Sequence, residues 1–173
     1  MKTGNSQTVL LDLLQHAHAL ELQAQKLLTS FPPDAQYHPP LKARIENHIQ
    51  LTLVHQQLLE NCMEEQEGSV SPAQDIALTA KSPTALRATG DRSARDEVIE
   101  GTASIYAFEQ FKIAFYVVLL NAASLAGSDR TQRACEQILC GEIIMGDWLR
   151  ENLPEITESF LILSADGNIP TRH

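Results

Sequence analysis

Basic residues are scarce in this chain. Thirteen Lys+Arg stand against 22 Asp+Glu, a formal net charge of −9, and the basic residues never gather into a stripe that could follow a phosphate backbone. No nucleic acid and no membrane partner is therefore expected. Cysteine is also sparse: Cys62, Cys135 and Cys140 cannot all pair within one chain, and no CxxC occurs, so buried free thiols in a reducing compartment are the expectation. With aromatics at 5%, 8 Gly and 8 Pro, the chain lacks the turn density of a β-sandwich. Long apolar runs are missing too. The longest uncharged stretch, Ile113 to Ser128, is 16 residues, short of the ~20 that span a bilayer. Met1 to Gln15 has one Lys and an apolar stretch broken by Asp12, which reads as neither a signal peptide nor a transit peptide. A cytoplasmic location is expected.

What is present is helical. Hydrophobic residues at 43% exclude a disordered chain, and 173 residues lie near the ~150-residue size of one domain. Four segments repeat apolar residues at helical spacing. The first, 8–30, carries Leu10, Leu13, Ala17, Leu20, Ala24 and Leu27, and Phe31-Pro32-Pro33 stops it. The second, 40–65, starts at Pro39-Pro40 and carries Leu41, Ile45, His48, Thr52, His55, Leu59 and Cys62. The third, 94–126, follows a capping Ser93 with Asp96 and Glu97, and carries Val98, Thr102, Ile105, Glu109, Lys112, Tyr116, Leu119 and Ala123 until Gly127. Asp129 is placed to cap the fourth, 130–152, with Ala134, Ile138, Met145, Trp148 and Leu149 inward. Leu153-Pro154 should break it, leaving a short helix from Pro154 to Leu163 and a tail.

Link lengths select the topology. About ten residues join the first two helices and two or three join the last two, but about 28 separate the second from the third, and a link that long must cross the bundle. The expected fold is all-α: a single ferritin-like four-helix bundle with one long crossover between helices two and three. Within that link, Ser71-Pro72 should open a short helix ending near Lys81.

An amphipathic helix keeps ionised groups off its core stripe, because burying an unpaired charge costs several kcal/mol. This chain breaks the rule on every helix: Glu21 follows Leu20, His48 and His55 lie on the second stripe, Glu109 and Lys112 on the third, and Glu142 between Ile138 and Met145 on the fourth. Most sit near mid-helix and should meet at roughly one level, which is how bundle cores build two-metal carboxylate sites. Taken singly, each has a plainer explanation. Glu21 reads as a solvated carboxylate with a packed stem, His48 and His55 as neutral hydrogen-bonded core histidines, and Tyr116 and Trp148 as core. Cys135 and Cys140, five apart, point to different sides and do not make a joint metal site. Glu64-Glu65-Gln66-Glu67 reads as a solvated helix end.

Leu20-Glu21-Leu22-Gln23, the run from Leu41 to His48, the run from Tyr106 to Tyr116, and Glu142 followed by Asp147-Trp148-Leu149 resemble the bacterial YciE/YciF family, most closely its YciE members. The resemblance implies a ferritin-like, usually dimeric bundle among stress-induced cytoplasmic proteins. Its pattern has glutamates where this chain has Leu51, Lys112 and Gly141, whereas Glu21, Glu109 and Glu142 match. With His48 these form the candidate metal site, vestigial because Lys112 and Leu51 occupy ligand positions. The expectation is a non-enzymatic stress-response protein with a degenerate di-metal site and no cofactor. The alternative is an iron- or manganese-binding oxidase or peroxide-handling enzyme. A homodimer, or a pairing with a sister family member, is the expected assembly, with Leu119 or Leu120 supplying its apolar face.

Overall fold

The computed structural model describes residues 3–67 and 94–165, and every element among them is helical: α1 (Thr3–Thr29), a 3-10 turn (Pro33–Tyr37), α2 (Pro39–Glu67), α3 (Ala94–Ala126) and α4 (Asp129–Ala165). On α1 the buried stripe runs Leu10, Leu14, Ala17, Leu20, Glu21, Ala24 and Leu28. Leu13 and Leu27 sit half-buried at its edge instead of at its centre. The Pro32-Pro33 pair ends α1, and the chain re-enters helix at Pro39-Pro40, which have no N–H to lose in a first turn. His38 completes that turn, since its Nδ1 accepts a hydrogen bond from the Leu41 N–H at 3.1 Å.

The bundle has two apolar ends. Leu10, Leu14, Leu59, Cys62, Leu119, Ala123, Cys135 and Ile138 fill one, and Leu28, Leu41, Ile45, Val98, Ile105, Leu149, Ile156 and Phe160 fill the other. α1 and α4 lie opposite each other, each packed between α2 and α3. α2 finishes at the first end and α3 begins at the second, so the two helices run in the same direction. That is the one-crossover, ferritin-like topology. The short helix expected after Ser71-Pro72 lies outside the described residues.

The α3–α4 corner shows why the chain turns there. Gly127 takes φ 71°, its N–H donates to Ser124 O at 3.1 Å, and the Ser128 N–H donates to Ala123 O at 3.0 Å. This pair of bonds satisfies the last carbonyls of α3 and requires a left-handed residue. Ser128, not Asp129, is the cap of α4: the Gln132 N–H donates to its carbonyl at 3.0 Å, and Asp129 is already helical, its carboxylate in the positive first turn.

α4 corrects the expected break at Leu153-Pro154. The C-terminal turns are helical as anticipated, but Pro154 lies inside one continuous helix. A mid-helix proline costs about 3 kcal/mol. Fully burying Ile156 and Phe160 beyond it recovers roughly 1.5–3 kcal/mol each, so packing outweighs the lost hydrogen bond.

By length and composition α3 could cross a membrane over Asp96–Ala126, with a mean hydropathy of 1.4 in its most apolar window. The ionised side chains on its inner face point into the bundle.

Candidate functional site

Between the two apolar ends the four helices each contribute charged or polar side chains to one sealed layer. Glu21 of α1, His48 and His55 of α2, Glu109 and Lys112 of α3, and Glu142 of α4 are all buried, none more than 2% exposed. The Lys112 Nζ is the centre. It lies 2.8 Å from Glu142 Oε2, 3.3 Å from Glu21 Oε2 and 3.5 Å from Glu109 Oε2. His48 Nε2 faces Glu109 Oε1 at 3.3 Å and Glu142 Oε2 at 3.5 Å, while His55 Nδ1 faces Glu142 Oε1 at 2.9 Å and Glu21 Oε2 at 3.6 Å. The Tyr116 hydroxyl donates to Glu21 Oε1 at 2.7 Å. Gln56 steadies the same residue from outside, its amide donating to the Glu21 carbonyl at 3.4 Å.

The residues read from the sequence are thus brought together, with one exception. Leu51 is not in the layer: it is 44% exposed, because the inner face of α2 runs His48, Thr52, His55 and position 51 turns away. A glutamate there would point outward. Two residues take a larger part than expected, His55 and Tyr116. The seven-residue spacing His48–His55 and the four-residue spacing Lys112–Tyr116 are the signals that place each on the charged face. Gly141, another departure from the family pattern, makes room for His55: a Cβ there would stand 3.3 Å from the ring's Cε1 and Nε2. Of the thiols, Cys62 and Cys135 are buried, but Cys140 is exposed, so the expectation of buried cysteines fails there because position 140 turns outward on α4.

Burial works against every charge in this layer, and the partners decide the outcome. It disfavours an ionised His48, yet Glu109 and Glu142 outweigh it and lift the ring to about 9. His55 is raised in the same way, with Glu142 and Glu21 overcoming burial. Burial would also strip Lys112 of its proton, but Glu109, Glu21 and Glu142 hold the ammonium charged far above its ordinary range. Glu109 moves up to about 7, driven by burial and opposed chiefly by Lys112. Burial pushes Glu142 up too, but Lys112 foremost, then Glu109 and both histidines, hold it well below the carboxylate range.

The donor chemistry bears on metal. Among the described residues there are two sets of three ligand atoms, Glu21 with His55 and Glu142, and His48 with Glu109 and Glu142. Both share Glu142, and the ammonium touches carboxylates of both. Two divalent ions plus Lys112 would set five positive charges against three carboxylates, which a buried layer does not tolerate. Lys112 supplies one fixed positive charge, and both histidines, raised by the carboxylates they face, add to it. A dinuclear centre does not fit these residues as they stand.

Fold and layer together define a ferritin-like four-helix bundle whose waist is closed by charged side chains. The profile of a family described as a domain of unknown function, DUF892, matches residues 5–162. A crystal structure of a Xanthomonas campestris protein is 31% identical, covering 93% of this chain and 99% of that one with a TM-score of 0.77. The crystal structure of the Escherichia coli stress protein YciF shares the fold at 16% identity, covering 91% and 99%, with a TM-score of 0.71. The chain belongs to the DUF892 family, the YciE/YciF-like group that its motifs resemble.

Proposed function

We propose that this chain is a ferritin-like bacterial stress-response protein that works without enzymatic turnover, its ancestral di-metal centre replaced by an internal ion-pair network. The observation that carries this is the Lys112 ammonium, 2.8–3.5 Å from all three carboxylates. A fixed charge there does the neutralising that metal ions do in a carboxylate-lined bundle core. The likeness to a protein titled as a stress protein supports the physiological part. With its interior sealed, such a protein acts through its surface, in the cytoplasm, as a homodimer or with a sister family member. The outer face of α3 suits that role. Phe111, Ala114, Val117, Val118 and Leu125 are exposed there, and no exposed charge interrupts them between Ala107 and Leu125.

Metal analysis of protein purified without chelator tests the reading. Iron and manganese should be far below one ion per chain, and chelator should leave the melting temperature unchanged. Two ions per chain would instead establish the iron- or manganese-dependent oxidase or peroxide-handling reading, which the two ligand sets sharing Glu142 favour.

A further inference from the structure

Seven atoms of the buried layer make close ionic contacts but no aligned hydrogen bond: Glu21 Oε2, His48 Nε2, His55 Nδ1, Glu109 Oε2, Lys112 Nζ and both oxygens of Glu142. Three of them form a compact group. Glu21 Oε2 and Glu142 Oε1 stand 3.6 and 2.9 Å from His55 Nδ1, and the Glu21 side chain is already held from behind. Tyr116 occupies the other oxygen of Glu21. The missing side chain at Gly141 seats the far edge of the His55 ring. The Lys112 ammonium, 3.3 Å from Glu21 Oε2 and 2.8 Å from Glu142 Oε2, competes for that space.

We infer that Glu21 Oε2, His55 Nδ1 and Glu142 Oε1 form a latent three-donor site for one divalent transition-metal ion, which the ammonium of Lys112 keeps closed. This rests on the reading of Lys112 as the layer's resident cation. An imidazole with two carboxylates is the donor set of borderline ions such as Zn²⁺ and Co²⁺ rather than Ca²⁺ or Mg²⁺. The stoichiometry follows from geometry. This donor set and that of His48 with Glu109 share Glu142, so an ion in one occupies the carboxylate on which the other depends. His55 is the distinguishing ligand, and Gly141 leaves its ring room, since a Cβ there would stand 3.3 Å from Cε1 and Nε2.

Co²⁺ titration followed by visible ligand-field absorption tests this, with the melting temperature as a second readout. The unmodified protein should show no stoichiometric uptake. Lys112→Ala and Lys112→Gln should each take up one Co²⁺ per chain and melt higher with the ion than without. Adding His55→Gln to either should weaken uptake at least tenfold, and adding Gly141→Ala should weaken it by displacing the ring. A folded Lys112 variant that binds no Co²⁺, binds two, or binds one regardless of His55 overturns the inference. So does failure of both Lys112 variants to fold even with Co²⁺ present. Metal in the unmodified protein would instead overturn the reading of Lys112 on which the inference rests.

Discussion

Glu109 and His48 face each other at 3.3 Å, and their proton balance gives the layer a pH signature. His48 is lifted from 6.5 to about 9, so the stability it contributes is complete below about pH 6.5 and disappears as pH rises through 9. Glu109, lifted from 4.5 to about 7, acts in the same sense: its contribution is complete below 4.5 and lost as pH rises through 7. Glu142, held well below 4.5, stabilises above 4.5 and fails only in stronger acid. The melting temperature should therefore fall between pH 6 and pH 9, with His48 accounting for on the order of 3 kcal/mol. His48→Gln should flatten that slope. Thermal melts across the range check this, and an equal melting temperature of the unmodified protein at pH 6 and 9 would contradict it. At this scale the sequence is legible where a charged or polar residue sits on an apolar stripe: Glu21, His48, His55, Glu109, Lys112 and Glu142 announce themselves by breaking a rule. Tyr116 breaks none, since a tyrosine is an ordinary core residue. Leu51 misled because a motif spacing fixes neighbours along the chain, while the face a residue presents depends on how its helix is rotated.

The helices themselves were readable from apolar spacing, and their ends less so. Proline signals a stop only when nothing beyond it needs the helix to continue, and Ile156 and Phe160 need it. Pro154→Ala should accordingly stabilise the protein by about 1–3 kcal/mol, restoring a backbone donor to a helix that is already formed. Phe160→Ala should cost about 3–5 kcal/mol despite lying in the stretch expected to stand apart. Denaturant titration of both variants measures these effects. A destabilising Pro154→Ala would mean that the ring itself packs usefully. Asp129 was misplaced for a related reason: Ser128, Asp129 and Thr131 are all good N-terminal residues, and only the Gln132 N–H donating to the Ser128 carbonyl decides among them.

For the whole molecule, link length was the informative quantity, since 28 residues cannot be spent on a tight turn between neighbouring helices. Assembly was less legible. An apolar segment such as Ile113 to Leu125 shows that some face is in excess but not which one. Leu119 is fully buried and Leu120 half-buried, so neither supplies the outward face expected of it. Val117, Val118 and Leu125, 53–78% exposed, do. If copies pair through α3 as proposed, Val118→Asp should yield monomers in sedimentation at micromolar concentration with an unchanged melting profile of the subunit, whereas Leu119→Ala should destabilise the fold by about 2–5 kcal/mol. A unmodified protein that sediments as a monomer would remove the claim.

The buried layer also settles how the helices align lengthwise. Along their inner faces they repeat every seven residues: Leu14, Glu21, Leu28; Leu41, His48, His55, Cys62; Ile105, Lys112, Leu119; Cys135, Glu142, Leu149, all buried. Apolar residues alone would leave a one-heptad slide between neighbours nearly unopposed, because each leucine would exchange for something similar. With the charges in place, a slide of α3 carries Lys112 to the level of Leu119 or Ile105, among aliphatic side chains, and strands Glu21 and Glu142 without their cation. A lone buried charge is far costlier than a paired one. The six residues thus act as a register mark, admitting one longitudinal alignment of four otherwise repetitive helices.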